Sequence, residues 1–332
     1  MLPALFLVLW SAALAAAGAW TGAPDLALFA DRFGRLDLVA FGWILLASLA
    51  TGLFVHPLQF GMTQLLEGYW GNHPLARTLA RLRVESYRAR RTTAVRMRNA
   101  VQRQLTTEVQ ALLIAQGDDT LEGDQRTKAQ IRLDLLNSER GAHLVGLLTA
   151  EAAFDHIARG FPDPSRIMPT RLGNALRREE DRAGRQYGIE AIRTAPHFSL
   201  VAPERHVGYV DDTRQQLDTS VRLCVVSLLA ATETFACLAT DGWWLLIALI
   251  PYALAYLAYR ASIAAADEYT TAVRTIIDLD RFALYESLNV ELPRNSDEER
   301  KNNEKLMRLL AGEHVDLRYR EPDADSTPPG SP

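Results

Sequence analysis

Two strongly apolar runs separated only by Asp241-Gly242 restrict this chain more than any other feature. Val221–Tyr259 reads VRLCVVSLLAATETFACLAT, then DG, then WWLLIALIPYALAYLAY. Each run is long enough as a helix to cross a hydrocarbon layer of about 30 Å. Lipid offers no partner to a backbone amide, so such runs must be helical there. Asp-Gly is a turn signal, and the pair therefore predicts an antiparallel helical hairpin. Glu233 sits inside the first run. An ionisable group at that depth is either functional or must be satisfied by a neighbour. Arg222 can snorkel to the surface, and the helical rise from it puts the Glu233 carboxyl roughly 16 Å deep. The turn brings Glu233 level with about Leu249, near Pro251 and Tyr252. Pro251 leaves the Ile247 carbonyl without its helical donor, so a protonated Glu233 has that carbonyl or the Tyr252 hydroxyl to meet. Depth also brings Ser11 and Ser48 into range. One reading makes Glu233 a proton- or cation-sensitive group. The preferred one makes it a neutral interhelical bond worth about 1 kcal/mol, because no second charge accompanies it.

A second hairpin precedes it. Leu2–Trp20 and Leu38–Val55 are uncharged and about long enough to span. Leu2–Trp20 carries small residues resembling a cleavage site, but no Lys or Arg precedes it, which favours a retained helix over a signal peptide. Residues 21–37 read as a polar loop. Ser11, Ala12, Ala15, Ala16 and Gly18, with Gly42, Ala47, Ser48 and Gly52, allow close helix approach. His56-Pro57 ends the second span. PLQFGMTQLLEGYW then reads as a helix with one apolar face, lying either at the headgroup level or in a soluble core.

Arginine makes up nearly all of the basic residues, which with the abundant alanine points to a GC-rich, bacterial source. Nine arginines fall between Arg77 and Arg103 against one acid, Glu85. A cluster of that kind just beyond a span marks the cytoplasmic side. Arg77, Arg81, Arg83, Arg88, Arg90 and Arg91 are candidates for anionic lipid headgroups or a protein partner. The stripe Val101, Leu105, Val109 and Leu112/Leu113 calls for a helical partner of coiled-coil type. The region after residue 261 is acidic, and its pairing with the arginine-rich helix, within or between subunits, is a further expectation. The formal net charge of -4 argues against a nucleic-acid partner.

Other motifs fail on spacing. The stretch after Gly117 resembles a calcium loop but has Ala129 where the bidentate acid belongs. His143, Glu151, Asp155 and His156 lack metal-ligand spacing. Cys224 and Cys237 lie roughly 20 Å apart on one helix, too far for a disulfide. No phosphate loop, nucleophile elbow or zinc motif is present. The sequence thus implies no catalytic residue, metal or cofactor. A membrane-associated enzyme, with Arg177, Arg178 and Glu180 as its nearest approach to a site, is the weakest reading.

LEGYWG (Leu66–Gly71) with PTRLGN-x-x-R-x-x-E (Pro169–Glu180), followed by Tyr187-Gly188, resembles a group of uncharacterised bacterial multi-span membrane proteins. The resemblance covers the region between the hairpins and implies no activity. It singles out Arg171, Asn174, Arg177, Glu180 and Tyr187.

The expectation is an all-α integral membrane protein of two transmembrane hairpins (four spans) with a helical cytosolic domain. Its parts are a hairpin at 1–56, a cytosolic domain at 57–220, a hairpin at 221–260, a helical extension at 261–312 and a disordered tail at 313–332. Both termini lie in the cytosol of a bacterial inner membrane protein. The leading role is interaction or assembly, with a homo-oligomer expected, and the alternative is an ion- or proton-coupled channel using Glu233.

Overall fold

A computed structural model describes residues 2–35, 37–117 and 139–320. Among these residues the chain is helical, and the only β pairing is a single bridge between Val290 and Tyr319. It forms two compact units: Met1–Gly71 with Thr170–Pro332, and Asn72–Pro169. The expected 57–220 domain is therefore not one body. Residues 57–71 and 170–220 group with the apolar helices, and only the stretch between them stands as its own unit.

The first unit contains α1 (Leu2–Ala16), α2 (Leu26–Gly34), α3 (Leu38–Val55) and α4 (Gln59–Glu67). Its spine is the pair α9 (Glu204–Leu238) and α10 (Leu249–Ser287). (Helices α5 to α8 and α11 are placed below.) Buried positions on α10 recur in steps of four and three: Pro251, Ala255, Ala258, Ser262 and Ala265. They meet Val221, Cys224, Ser227, Ala230 and Thr234 of α9. Small side chains on the facing sides let two backbones approach, the usual source of helix association where solvent supplies no hydrophobic drive.

Between the two helices Gly242 takes the left-handed φ of +61°, and Gly242–Ala248 is wound as a 3-10 helix. This changes the expectation for Pro251. It does not kink a helix midway but falls in the first turn of α10, where its missing N–H is not needed.

Helix α1 packs on α3 and α9. It closes at Gly18 with φ +75°, and the Arg32 guanidinium donates to the Ala15 and Ala16 carbonyls at 3.0 and 3.4 Å. A cation there satisfies the open carbonyls of the helix C-terminus. Arg32 belongs to α2, which replaces part of the expected polar loop. The Asp25 carboxylate accepts from the Ala27 and Leu28 amides and starts the helix. Leu28, Phe29 and Phe33, at helical spacing, outweigh the interspersed charges.

Among the described residues, three helical stretches are long and apolar enough to cross a membrane: Leu38–Glu67, Glu204–Leu238 and Gly242–Ser287. The apolar helix Leu2–Ala16 is shorter. Their outer faces carry bare apolar side chains, among them Trp43, Phe54, Phe235, Ile250 and Leu257. A belt of this extent is foreign to a water-exposed surface and compatible with a bilayer.

At one end of these helices the unit continues as a packed helical body. It contains α7 (Arg171–Glu180), α8 (Ala191–Val201) and α11 (Ser296–Leu310). Phe198, Ile277, Leu284, Tyr285 and Leu306 form its core. Buried Asn303 accepts from the Tyr285 hydroxyl at 2.7 Å and donates to the Tyr187 carbonyl at 2.8 Å. The N-cap of α11 is Asn295, whose side chain accepts from the Glu298 amide. The first residues of the tail expected at 313–332 are instead packed against the body. Leu317 is buried, and the Glu291 amide donates to the Arg318 carbonyl at 2.9 Å. Residues 321–332 lie outside the described residues, as does the calcium-like stretch after Gly117.

The second unit is a hairpin of α5 (Pro74–Gly117) and α6 (Glu139–Arg159). The inward positions of α5 step by four and three: Val84, Tyr87, Arg91, Ala94, Arg98 and Val101. Tyr87 meets Phe161, and Arg98 reaches Asp155 at 3.1 Å. Arg159 holds the other Asp155 oxygen at 2.6 Å. Burial alone would raise the Asp155 carboxyl, but the hydrogen bonds and charges of Arg98 and Arg159 hold it below the ordinary carboxylate range.

Two outcomes follow. Ala258→Leu should force the α9–α10 seam apart and cost about 1–3 kcal/mol in detergent unfolding, whereas Leu257→Ala on the outer face should change stability by less than about 0.5 kcal/mol. Because the Asp155 pKa is lowered on folding, the stabilisation it gives is present above the ordinary carboxylate pKa. It is lost as pH falls through the lowered value. Protection factors of α5 and α6, taken relative to intrinsic exchange at each pH, should therefore fall at acid pH in the native chain, and much less so in Asp155→Asn.

Candidate functional site

Glu233 is half-buried on α9, and its Oε2 accepts a hydrogen bond from the Ser11 hydroxyl of α1 at 2.7 Å. One residue on, Thr234 is fully buried, and its hydroxyl accepts from the Trp10 indole N–H at 2.8 Å. Thr234 in turn donates to the Ala230 carbonyl at 2.7 Å. Two adjacent residues of α1 are thus tied to two adjacent residues of α9. Leu14, Ala19 and Leu238 pack beside them.

Of the partners expected for Glu233, Ser11 is the one the structure brings in. The Tyr252 ring is 57% exposed on the outer face of α10. Ser48 is buried but donates to the Ile44 carbonyl of its own helix. The Trp10–Thr234 bond was not anticipated, although adjacency to Ser11 and Glu233 was a usable signal.

The two sequence motifs meet within the first unit. Thr170 is the N-cap of α7: its hydroxyl accepts from the Gly173 amide at 3.0 Å and donates to the Glu67 carbonyl at 2.7 Å. Asn174, 2% exposed, donates to the Thr170 carbonyl at 2.7 Å. The Arg171 amide donates to the Tyr259 hydroxyl at 3.1 Å. Three chain segments that end or begin at this level are thereby clamped: the last turn of α4, the first turn of α7, and α10 at Tyr259. Leu172 and Ala175 then pack with Met62, Leu217 and Val221. Asn174 and the Arg171 backbone belong to this bracket.

Arg177 extends it outward. Its guanidinium donates to Glu180 at 2.9 Å and to the Tyr69 hydroxyl, and lies over the Tyr69 ring. Glu67 is within electrostatic reach of both Arg177 and Glu180. Arg178 pairs with Glu179 at 2.8 Å and with Asp267, and Arg182 pairs with Glu179 at 3.2 Å. The guanidiniums that an anionic substrate would need are therefore already held by carboxylates. Tyr187 lies elsewhere, under the Arg281 guanidinium 4.3 Å from its ring centre. It is part of the α11 docking surface.

On α5, Arg77, Arg81, Arg83, Arg88 and Arg90 are exposed, while Arg91 is half-buried on the inward face. Arg83 donates to the Tyr87 hydroxyl at 3.1 Å and Arg88 to the Pro164 carbonyl at 3.2 Å. Asp155, once drawn with His143, Glu151 and His156, is occupied by its two arginines. Among the described residues no group of three or more His, Cys, Asp or Glu is placed to hold a metal.

Compared with family models, curated proteins and solved structures, the chain matches none.

Ser11→Ala should remove the α1–α9 bond and cost about 1 kcal/mol in detergent unfolding. Glu233→Gln keeps an acceptor for Ser11 and should cost less than Glu233→Leu, which keeps none. Equal losses in Gln and Leu would mean that the carboxylate charge matters in its own right.

Proposed function

We propose that this chain is a four-span membrane protein whose α5–α6 hairpin is an interaction module presented on the cytosolic side. One observation carries the reading: Asn72–Pro169 forms a compact unit of its own, and its long helix keeps most of its arginines exposed. Leu2–Ala16, though short, completes the four by packing beside α3 and α9. The basic residues after α4 support a cytosolic position for that end of the bundle, and the reading then puts α2 and the Asp241-Gly242 turn on the other side. The motif bracket fits this role, since it joins the spans to the helical body and its Arg177, Arg178 and Arg182 are already paired with carboxylates. The resemblance to bacterial multi-span proteins agrees with it, and self-association is the simplest form of assembly.

A second reading rests on Glu233 itself. A half-buried carboxylate beside a hydroxyl, within an apolar bundle, is also what a proton-responsive channel or transporter would use. One measurement tests the topology that both readings share, and a second separates them. In vesicles, single cysteines at Thr21 and Asp241 should react with an impermeant thiol reagent from the side opposite to one at Thr106. Proton or cation flux should be absent in the native chain. Flux that disappears in Glu233→Gln would promote the channel reading over the assembly one.

A further inference from the structure

Helix α2 has three sides, and only one of them is used within the chain. On the docked side, half-buried Leu28 and Phe29 flank Arg32. Leu28 lies against Gly18, and Arg32 closes the carbonyls of α1. On the second side, Asp31 and Arg35 are exposed and paired at 2.7 Å. The third side is apolar and bare: Leu26 is 66% and Phe33 54% exposed, with exposed Ala30 beside them. At 100° per residue Leu26 and Phe33 fall within about 20° of each other and roughly opposite the Asp31–Arg35 pair. The docked side comes between the two, so α2 lies beside the end of α1 with its apolar and charged sides facing apart. Leu14 and Ala19 pack with Leu238, Trp244 and Ile247, which puts the end of α1 level with the turn of the second hairpin. Trp20 and Trp243, next to those contacts, are both exposed, and exposed tryptophans gather at the headgroup level of membrane proteins. The length of α1 agrees. Its 15 residues reach about 22 Å, about 8 Å less than a hydrocarbon layer, and interfacial helices sink about 5–10 Å into the boundary.

We infer that α2 lies in the membrane surface at the Asp241-Gly242 end of the bundle, with Leu26 and Phe33 at the headgroup–acyl boundary and Asp31 and Arg35 in water. The next helix opens with Leu38, Val39 and Phe41, all exposed, so the bare sides of α2 and α3 meet lipid at the same boundary. The two charges on the water side pair with each other and Arg32 is engaged on α1. Insertion therefore calls for no anionic lipid, and a zwitterionic surface is the matching partner, held by apolar burial. The arrangement also explains how so short a helix as α1 reaches that surface, because α2 continues the lipid-facing side where α1 stops. The inference rests on the membrane reading above, and adds that the segment between the first two spans touches lipid and through which residues.

The test uses the full chain with Cys224→Ala and Cys237→Ala in phosphatidylcholine nanodiscs, which leave both membrane faces open to an aqueous quencher. An environment-sensitive nitrobenzoxadiazole label is placed at Ala30→Cys, which keeps Leu26 and Phe33, or at Arg35→Cys as the water-side control. The expected result is quenching at position 30 by nitroxide carried on the lipid acyl chains, severalfold stronger than at position 35. The aqueous quencher should show the reverse order, and added salt should change neither. Leu26→Ser together with Phe33→Ser should abolish the lipid quenching at position 30. A label at 30 that is aqueous in the native background overturns the inference. So does one shielded from both quenchers, since protein then covers the face, and so does lipid quenching that appears only when phosphatidylglycerol is added. Resistance to carbonate extraction is measured on the same chain in vesicles. A chain that resists extraction while its label stays aqueous loses only the lipid docking of α2, and a chain that is extracted loses the membrane reading together with it.

Discussion

The contact between α9 and α10 sets the terms for everything else in the first unit. An apolar solvent gives no reward for bringing two leucine-covered helices together, so association there depends on how closely backbones can pack. Ala255, Ala258, Ser262 and Ala265 meet Cys224, Ser227 and Ala230, and the bulky side chains are turned outward. The same two helices run beyond the apolar region without interruption. There the buried residues become larger, with Ile276, Ile277, Leu284 and Tyr285 in place of alanine. One pair of helices therefore packs by close approach at one end and by ordinary hydrophobic burial at the other. That continuity is what allows α7, α8 and α11 to be built on the same framework as α1 and α3.

Helix α1 shows what a short element needs to hold its place. It has 15 residues, and its outer face is apolar, so lipid would accept it in many orientations. The paired bonds from Trp10 and Ser11 to Thr234 and Glu233 fix both its depth and its rotation. Arg32 closes its C-terminal carbonyls. A carboxylate offers two oxygens to a helix neighbour where a threonine offers one, and only Oε2 of Glu233 is used by Ser11. This accounts for a costly residue at that position without assigning it any transport role. The other oxygen is the reason the channel reading survives as an alternative.

Much of this was legible in the sequence, and the parts that were not have physical reasons. The hairpin turn, the all-helical character and the nearness of Ser11 to Glu233 follow from length, turn chemistry and depth. Helix α2 was hidden because Asp25, Asp31, Arg32 and Arg35 suggested a loop, although Asp25 is its N-cap. Pro251 was read against an α-helix starting at Trp243, and the 3-10 stretch up to Ala248 moves that start to Leu249. The bracket at Thr170 was out of reach because Glu67 and Thr170 are distant in the chain and bond through a backbone carbonyl. Leu317 looked like tail because composition alone does not reveal that it is buried, or that Tyr319 two residues on bridges to Val290.

Arginine is used in two different ways in the two units, and that difference bears directly on function. In the first, Arg177, Arg178, Arg182 and Arg281 each face a carboxylate within hydrogen-bonding distance. The planar guanidinium suits such fixed, partly desolvated pairings, and the bonds of Arg178 to Asp267 and of Arg281 to Glu299 tie neighbouring helices together. In the second, Asp155 takes Arg98 and Arg159, while Arg77, Arg81, Arg90 and Arg96 project from α5 with one acid, Glu85, among them. Structural need does not explain that excess, because exposed like charges along one helix repel each other. An uncompensated cost of this kind is tolerated where a partner of opposite charge relieves it. The exposed charge that the proposed interaction module would offer a partner therefore lies on the hairpin and not in the motif cluster, which the sequence had made look more like a site.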